Sequence, residues 1–158
     1  MSRSAVKSPR VYGGEPLQKA KVRALDGQTW KADQPGYYDS GYARPLATDG
    51  TSAQFVFLED QDTAASTTDA WVGAIDGNTK FVGYVSSDDS DTTAQRAHIG
   101  GTYGIHVGSN VATVNVNETS NVAVVVEDCL PYAEPFRNDS TDNPGQVIFR
   151  YLTSVLDA

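Results

Sequence analysis

The sequence predicts a mainly β chain: one small antiparallel β-barrel or sandwich, of jelly-roll or β-tulip style, with an extended N-terminal arm. Three observations predict it. Residues 111–116 and 122–127 both alternate at period 2 and are rich in valine, which suits a pleated, half-buried surface. Asp-Gly dipeptides at 26–27, 49–50 and 76–77 punctuate short apolar runs, as hairpin turns do. No long stretch carries period 3.6 with caps, so any helix is short.

The chain divides into an arm at residues 1–12 and one β domain at residues 13–158, a length that buries a core without staples. Within the arm, Ser8-Pro9 biases the backbone away from helix. Gly13-Gly14-Glu15-Pro16 reads as a turn. Residues 17–25 alternate Leu17, Lys19, Lys21, Arg23 and Leu25 against Gln18, Ala20, Val22 and Ala24, a strand with a charged outer face. After the turn at Asp26-Gly27, residues 28–31 are the expected partner strand, with Trp30 inward.

Residues 33–45 read as a Gly/Pro/Tyr-rich loop. Its Tyr37, Tyr38 and Tyr42 either anchor an interface or pack on their own sheet. A strand at 53–59 sets Phe55 and Phe57 against Val56 and Leu58. Residues 60–69 form a polar loop. Residues 70–75 and 80–85 read as a hairpin about Asp76-Gly77-Asn78, with Trp71, Val72, Ile75, Phe81, Val82 and Val85 as core. An acidic loop follows at 86–93. The central hairpin comes next: 100–107 leads in, and the polar linker 117–121 joins its arms at 111–116 and 122–127. After a long loop at 130–145, residues 146–156 close the chain, with Val147, Phe149 and Tyr151 facing away from Ile148, Arg150 and Leu152.

The net charge of −8 hides an asymmetry. Residues 1–31 hold Arg3, Lys7, Arg10, Lys19, Lys21, Arg23 and Lys31 against Glu15 and Asp26, a balance of +5; the rest carries −13. A basic segment on an acidic body docks on an acidic partner or a neighbouring copy, or simply keeps a tail in solution. The acidic body repels phosphates, so nucleic acid is not expected as a partner. Nor is a membrane: no run approaches the length of a spanning helix, and no apolar stretch follows the N-terminal MSRSAVKSPR as in a secretory leader. The single Cys129 rules out an internal disulfide framework and suits a reducing compartment.

No catalytic constellation is legible. Cys129 follows Glu127-Asp128, carboxylates that disfavour a thiolate. His98 and His106, eight residues apart, fit no compact zinc pattern. The run Asp88-Asp89-Ser90-Asp91 lacks the glycine and bidentate glutamate of a calcium loop. The expectation is a protein that is not an enzyme and carries neither cofactor nor metal.

The pattern as a whole resembles the head decoration, or cement, proteins of tailed bacteriophages. A polar arm leads into a strand; AWVGAIDG and FVGYVSS follow, then the valine segments, then the closing run Gly145-Gln146-Val147-Ile148-Phe149-Arg150-Tyr151-Leu152. The resemblance spans Val11 to Leu152 and rests on the order of elements rather than on a signature motif; the loops at 60–69 and 130–145 depart from the smallest members. It implies a virion protein made in the bacterial host cytoplasm. It would sit on the outer capsid surface as a homotrimer at threefold axes and stabilise the shell by binding the major capsid protein. The residues expected to touch capsid or neighbour are Arg3, Lys7, Arg10, Val11, Tyr12, Lys19, Lys21, Arg23, Tyr37, Tyr38 and Tyr42. The alternative is a carbohydrate-binding β-sandwich module of a host-recognition structure, with Trp30, Trp71 and the tyrosines as candidate contacts.

Overall fold

Period-2 patterning produces twelve strands among the residues that the computed structural model describes, 7–13, 17–65, 68–130 and 145–152. In chain order they are β1 Arg10–Gly13, β2 Lys19–Arg23, β3 Pro35–Asp39, β4 Tyr42–Pro45, β5 Phe55–Phe57 and β6 Asp69–Ala74. There follow β7 Lys80–Ser87, β8 Ser90–Asp91, β9 Thr102–Gly108, β10 Val111–Asn115, β11 Val124–Leu130 and β12 Gln146–Tyr151. A single 3-10 turn, Arg96–His98, is the helical element among them. The mainly-β barrel expectation holds.

Strands β7, β10, β9, β11 and β12 close into a five-stranded barrel, because β12 pairs back onto β7. Four of the five pairings are antiparallel; β7 and β10 run parallel through Val85↔Val114 and Ser86↔Asn115. The inward residues Phe81, Val85, Ile105, Val114, Val124, Val126, Val147, Phe149 and Tyr151 are buried in one cluster. Phe81, Phe149 and Tyr151 meet there, with Tyr151 edge-on to both phenylalanine rings at 4.9 and 5.2 Å. Each large apolar side chain so buried contributes roughly 1.5–3 kcal/mol.

Closure leaves backbone groups beyond the paired lengths of β9 and β10, and hydroxyls answer them. Ser8 Oγ accepts from the N–H of Ala112 at 3.0 Å, so the chain before β1 is docked on the barrel while β1 pairs antiparallel with β7. Pro9 packs at Gly83, where a Cβ would also lie 2.8 Å from the Phe149 ring. Thr48 Oγ1 accepts from Val107 N at 2.9 Å and donates to Val107 O at 3.2 Å. The extended character expected for residues 1–12 holds over the described part, of which the stretch from Arg10 on pairs with β7; Met1 to Val6 lie outside the described residues.

The second sheet, in order β2-β6-β5-β3-β4, is antiparallel throughout and curls until its ends touch at the Ala24↔Ala43 bridge. Its inner face buries Ala24, Trp30, Ala43, Phe55, Phe57, Ala70 and Val72, with Trp30 stacked on Phe57 at 4.4 Å. Gly36 is required beneath those rings, since a Cβ would come within 2.5 Å of Phe55 and 2.7 Å of Phe57. From the opposite face Val56 and Ile75 join the barrel core, with Tyr37 and Leu58 packed against it. The expected split of Phe55 and Phe57 against Val56 and Leu58 therefore separates two cores.

Several expectations are corrected. The arms expected at 111–116 and 122–127 do not pair with each other; β9 lies between β10 and β11. The tight turn is at Ser109-Asn110, both at positive φ, and it makes β9–β10 the hairpin. Residues 116–123 then step over β9 at Gly104, whose N–H bonds to Glu118 O at 2.9 Å. A Cβ at Gly104 would collide with the Glu118 side chain and lie 2.7 Å from Asn121 O. Glu118 braces the crossing by accepting from Ser120 N and Asn121 N at 2.7 and 2.8 Å.

The expected hairpin of 70–75 with 80–85 is likewise two strands of different sheets, β6 and β7. Asp76 holds the connection by accepting from Asn78 N, Thr79 N and Thr79 Oγ1 at 2.8–2.9 Å, a side-chain turn that carries the chain across rather than back. Residues 33–45 are not a loop but the hairpin β3–β4, turned by Ser40 and Gly41 at positive φ. Residues 28–31 do not pair with β2; Trp30 faces inward as expected but bridges Gln61. The acidic run 86–93 contains the end of β7 and all of β8. Trp71, expected in the core, is 42% exposed. The long loop at 131–144 and the turn residues 14–16 lie outside the described residues.

Across the outside of the barrel, Glu127 on β11 takes Arg150 of β12 at 2.8 Å and Lys80 of β7 at 3.2 Å. Partial burial opposes its charge, but the two cations outweigh burial and hold the carboxyl below its ordinary value. Asp76 behaves alike: burial raises it, and its three donors bring it down further.

Two predictions follow from this architecture. Gly104→Ala displaces the crossing linker and costs about 1–3 kcal/mol in urea unfolding, whereas Gly108→Ala, whose Cβ would meet only the His106 ring at an ordinary contact of 3.6 Å, stays within about 0.5 kcal/mol. Equal losses at the two sites would refute the crossing constraint. Asp76 and Glu127 have folded pKa values below their ordinary 3.8 and 4.5, so their stabilisation is present above those values and lost as pH falls through the folded ones. Unfolding measured from pH 7 to pH 2 shows a flatter acid limb for Asp76→Asn and Glu127→Gln than for the parent chain.

Candidate docking surface

The alternation of β2 sends Val22 toward the second core and Lys19, Lys21 and Arg23 to the outer face. Antiparallel pairing with β6 sets them opposite Gly73, Trp71 and Asp69 in turn. Each pair behaves differently. Arg23 Nε bonds Asp69 Oδ1 at 3.1 Å, an exposed pair worth about 0.2–1 kcal/mol. Lys21 lays its ammonium 5.0 Å from the centroid of the Trp71 ring, a cation–π contact. Lys19 faces a residue with no side chain, and beside it opens a hollow of about 380 Å³ lined by Lys19, Leu58, Glu59 and Trp71.

The arm adds Lys7 and Arg10, both exposed, with Val11 at 45% and Tyr12 at 55% exposure. Lys7 and Arg10 lie within electrostatic reach of Asp33: desolvation raises its carboxyl, Arg10 pulls it back, Asp60 raises it further and Lys7 lowers it. This places the basic arm beside the acidic connections of the second sheet. Arg3 lies outside the described residues.

The three tyrosines part company. Tyr37 is half-buried against the barrel core, so it serves the fold. Tyr38 packs edge-on to Phe55 at 5.0 Å and remains partly exposed. Tyr42, opposite Asp39 in the β3–β4 hairpin, is exposed, and the Ala24↔Ala43 bridge sets it one position from Arg23 across the seam. The structure thus joins Lys19, Lys21, Arg23 and Tyr42 on adjoining strands and removes Tyr37. The residue that sequence reasoning misplaced is Trp71. Its alternation with Val72 leaves the facing ambiguous, and only the pairing with Lys21 shows that it points outward.

A second hollow, about 300 Å³, lies on the barrel and is lined in part by Ser86, Asp89, Asp91, His106 and Thr113. Two of its hydroxyls are engaged with each other, Ser86 Oγ with Thr113 Oγ1 at 2.8 Å. Cys129 is buried and its thiol meets Gln95 O at 3.0 Å. Among the described residues no group of three or more His, Cys, Asp or Glu is placed to hold a metal ion, and no helix is long and apolar enough to cross a membrane. Compared with known families, curated proteins and solved structures, the chain matches none.

Because the chain holds only two tryptophans, Trp30 at 3% and Trp71 at 42% exposure, quenching of their fluorescence reads the surface directly. Acrylamide quenches one component readily and the other poorly, and Trp71→Phe removes the quenchable one. A single protected component in the parent chain would place Trp71 in the interior.

Proposed function

We propose that this chain is a structural protein of a phage virion that binds the outer surface of the capsid and stabilises the shell, as a homotrimer at threefold axes. One observation supports the reading above others. Lys19, Lys21 and Arg23 are exposed on β2, and Lys7, Arg10, Val11 and Tyr12 are exposed on the arm and β1, in an otherwise acidic chain. Charges steer such a surface onto an acidic partner, and the aromatic and aliphatic groups supply the desolvated contact that retains it. A protein that binds the assembled shell but not its separated subunits stabilises the shell by mass action, and many modest contacts act together. The acidic remainder keeps particles apart.

The test is co-sedimentation with expanded capsids stripped of this protein. Saturable binding and greater heat resistance of the particle are expected, and Lys19→Glu with Lys21→Glu weakens binding about tenfold, or ~1.4 kcal/mol. Removing residues 1–12 is a poor probe, because it also removes the Ser8 bond and most of β1 from the barrel; truncation of residues 1–6 leaves both. Absence of binding by the folded chain refutes the reading.

A specific observation favours a second reading, a carbohydrate-binding module. Trp71 presents its ring on a rigid sheet face beside a hollow flanked by charges of both signs. Trp30, the other tryptophan, is excluded from that role by burial.

A further inference from the structure

The hollow beside Trp71 sets an aromatic ring among charged side chains, the combination that a sugar ring needs. A pyranose has an apolar face of axial C–H groups and an equator of hydroxyls, so it stacks on an aromatic ring while its hydroxyls bond charged side chains in the same plane. Here the indole is the platform, and Leu58, the residue after β5, is its apolar neighbour. Leu58 N donates to Trp71 O at 2.9 Å, so the two are tied through the sheet. Glu59 offers a carboxylate to hydroxyls and Lys19 an ammonium. The hollow, about 380 Å³, is of small-ligand size.

The charge balance selects among sugars. Lys19 and Lys21 both border the ring, while Glu59 is the one carboxylate that lines the hollow. Asp69, the next carboxylate along β6, is bonded to Arg23. Lys21 rests over the indole on a flexible stem, and a ring arriving on that face moves its ammonium to the ring's edge, within reach of an anionic substituent. The geometry points to a subsite for one ring of an acidic glycan. The sugar's apolar face lies on Trp71, a hydroxyl is held by Glu59, and a carboxylate sits between Lys19 and Lys21. This assignment rests on the carbohydrate-binding reading above and narrows it to a class of ligand and a place.

The experiment titrates the full chain with tetragalacturonate and with the matching neutral tetramer, in which CH₂OH replaces each carboxylate. Isothermal titration calorimetry measures binding for the parent and every variant, and tryptophan fluorescence and the Trp71 indole N–H resonance report it in chains that keep Trp71. The acidic tetramer is expected to shift both saturably and to bind at least tenfold more tightly than the neutral one. Trp71→Ala abolishes that binding, Lys19→Ser weakens it several-fold, and the buried emission of Trp30 reports that each variant is folded. Equal binding of the two tetramers overturns the acidic assignment and leaves the carbohydrate reading standing. Binding that survives Trp71→Ala overturns the site. No saturable change with either tetramer overturns the proposal, and silence across a broad glycan array then removes the carbohydrate reading with it. If Trp71→Ala abolishes capsid co-sedimentation while both tetramers are inert, the ring is a protein contact and the proposal falls.

Discussion

Strand β7 is the member on which the rest of the structure depends, because both of its edges are occupied by strands from distant parts of the chain. On one side it carries β1 and then, in parallel, β10; on the other it carries β12 and then β8. A parallel neighbour cannot be reached by a tight turn, so the chain must travel before it returns. That requirement sets the route of everything between Ser87 and Val111, and the order β10-β9-β11 then requires the step over β9 at Gly104. The step is sterically open because Gly104 has no side chain to meet Glu118 and Asn121, and Gly83 in turn leaves room on β7 for Phe149 and Pro9.

The same economy of space explains how two curled sheets form one body. Successive residues of β5 point to opposite faces, so Phe55 and Phe57 fill the second core while Val56 belongs to the first. Short side chains at Ala24, Ala43 and Ala70 allow the second sheet to curl until its edges meet. The part of its outer face that reaches beyond the barrel is left to solvent, and there the cations of β2 and the ring of Trp71 collect. The candidate surface is a consequence of geometry: a sheet that packs half of one face on a barrel must expose the other half.

Both proposals draw on that exposed half. A row of cations on an acidic chain would suit an acidic partner, and an exposed indole between lysines would suit a flat ligand that stacks. Both descend from the register of β2 on β6, which sets Lys21 opposite Trp71. A one-residue slip would turn the whole row to the other face.

Much was legible in the sequence by itself. Period 2 and β-branched composition determined that the chain is made of strands, since alternation is a local property of each segment. Local too were the charged outer row of β2, the inward Trp30, the opposed faces of Phe55 and Val56, and the shared face of Val147, Phe149 and Tyr151. What only the tertiary structure decided is which strands are neighbours. Valine segments flanking a polar linker look like a hairpin until Gly104 admits the linker across β9, and an Asp-Gly dipeptide looks like a hairpin turn until Asp76 carries the chain to the other sheet. Sequence alone misplaces Trp71 in the core for the same reason. A strand's alternation names its two faces, but whether a face meets core or water depends on partners far along the chain, whose pairing free energy leaves no local mark.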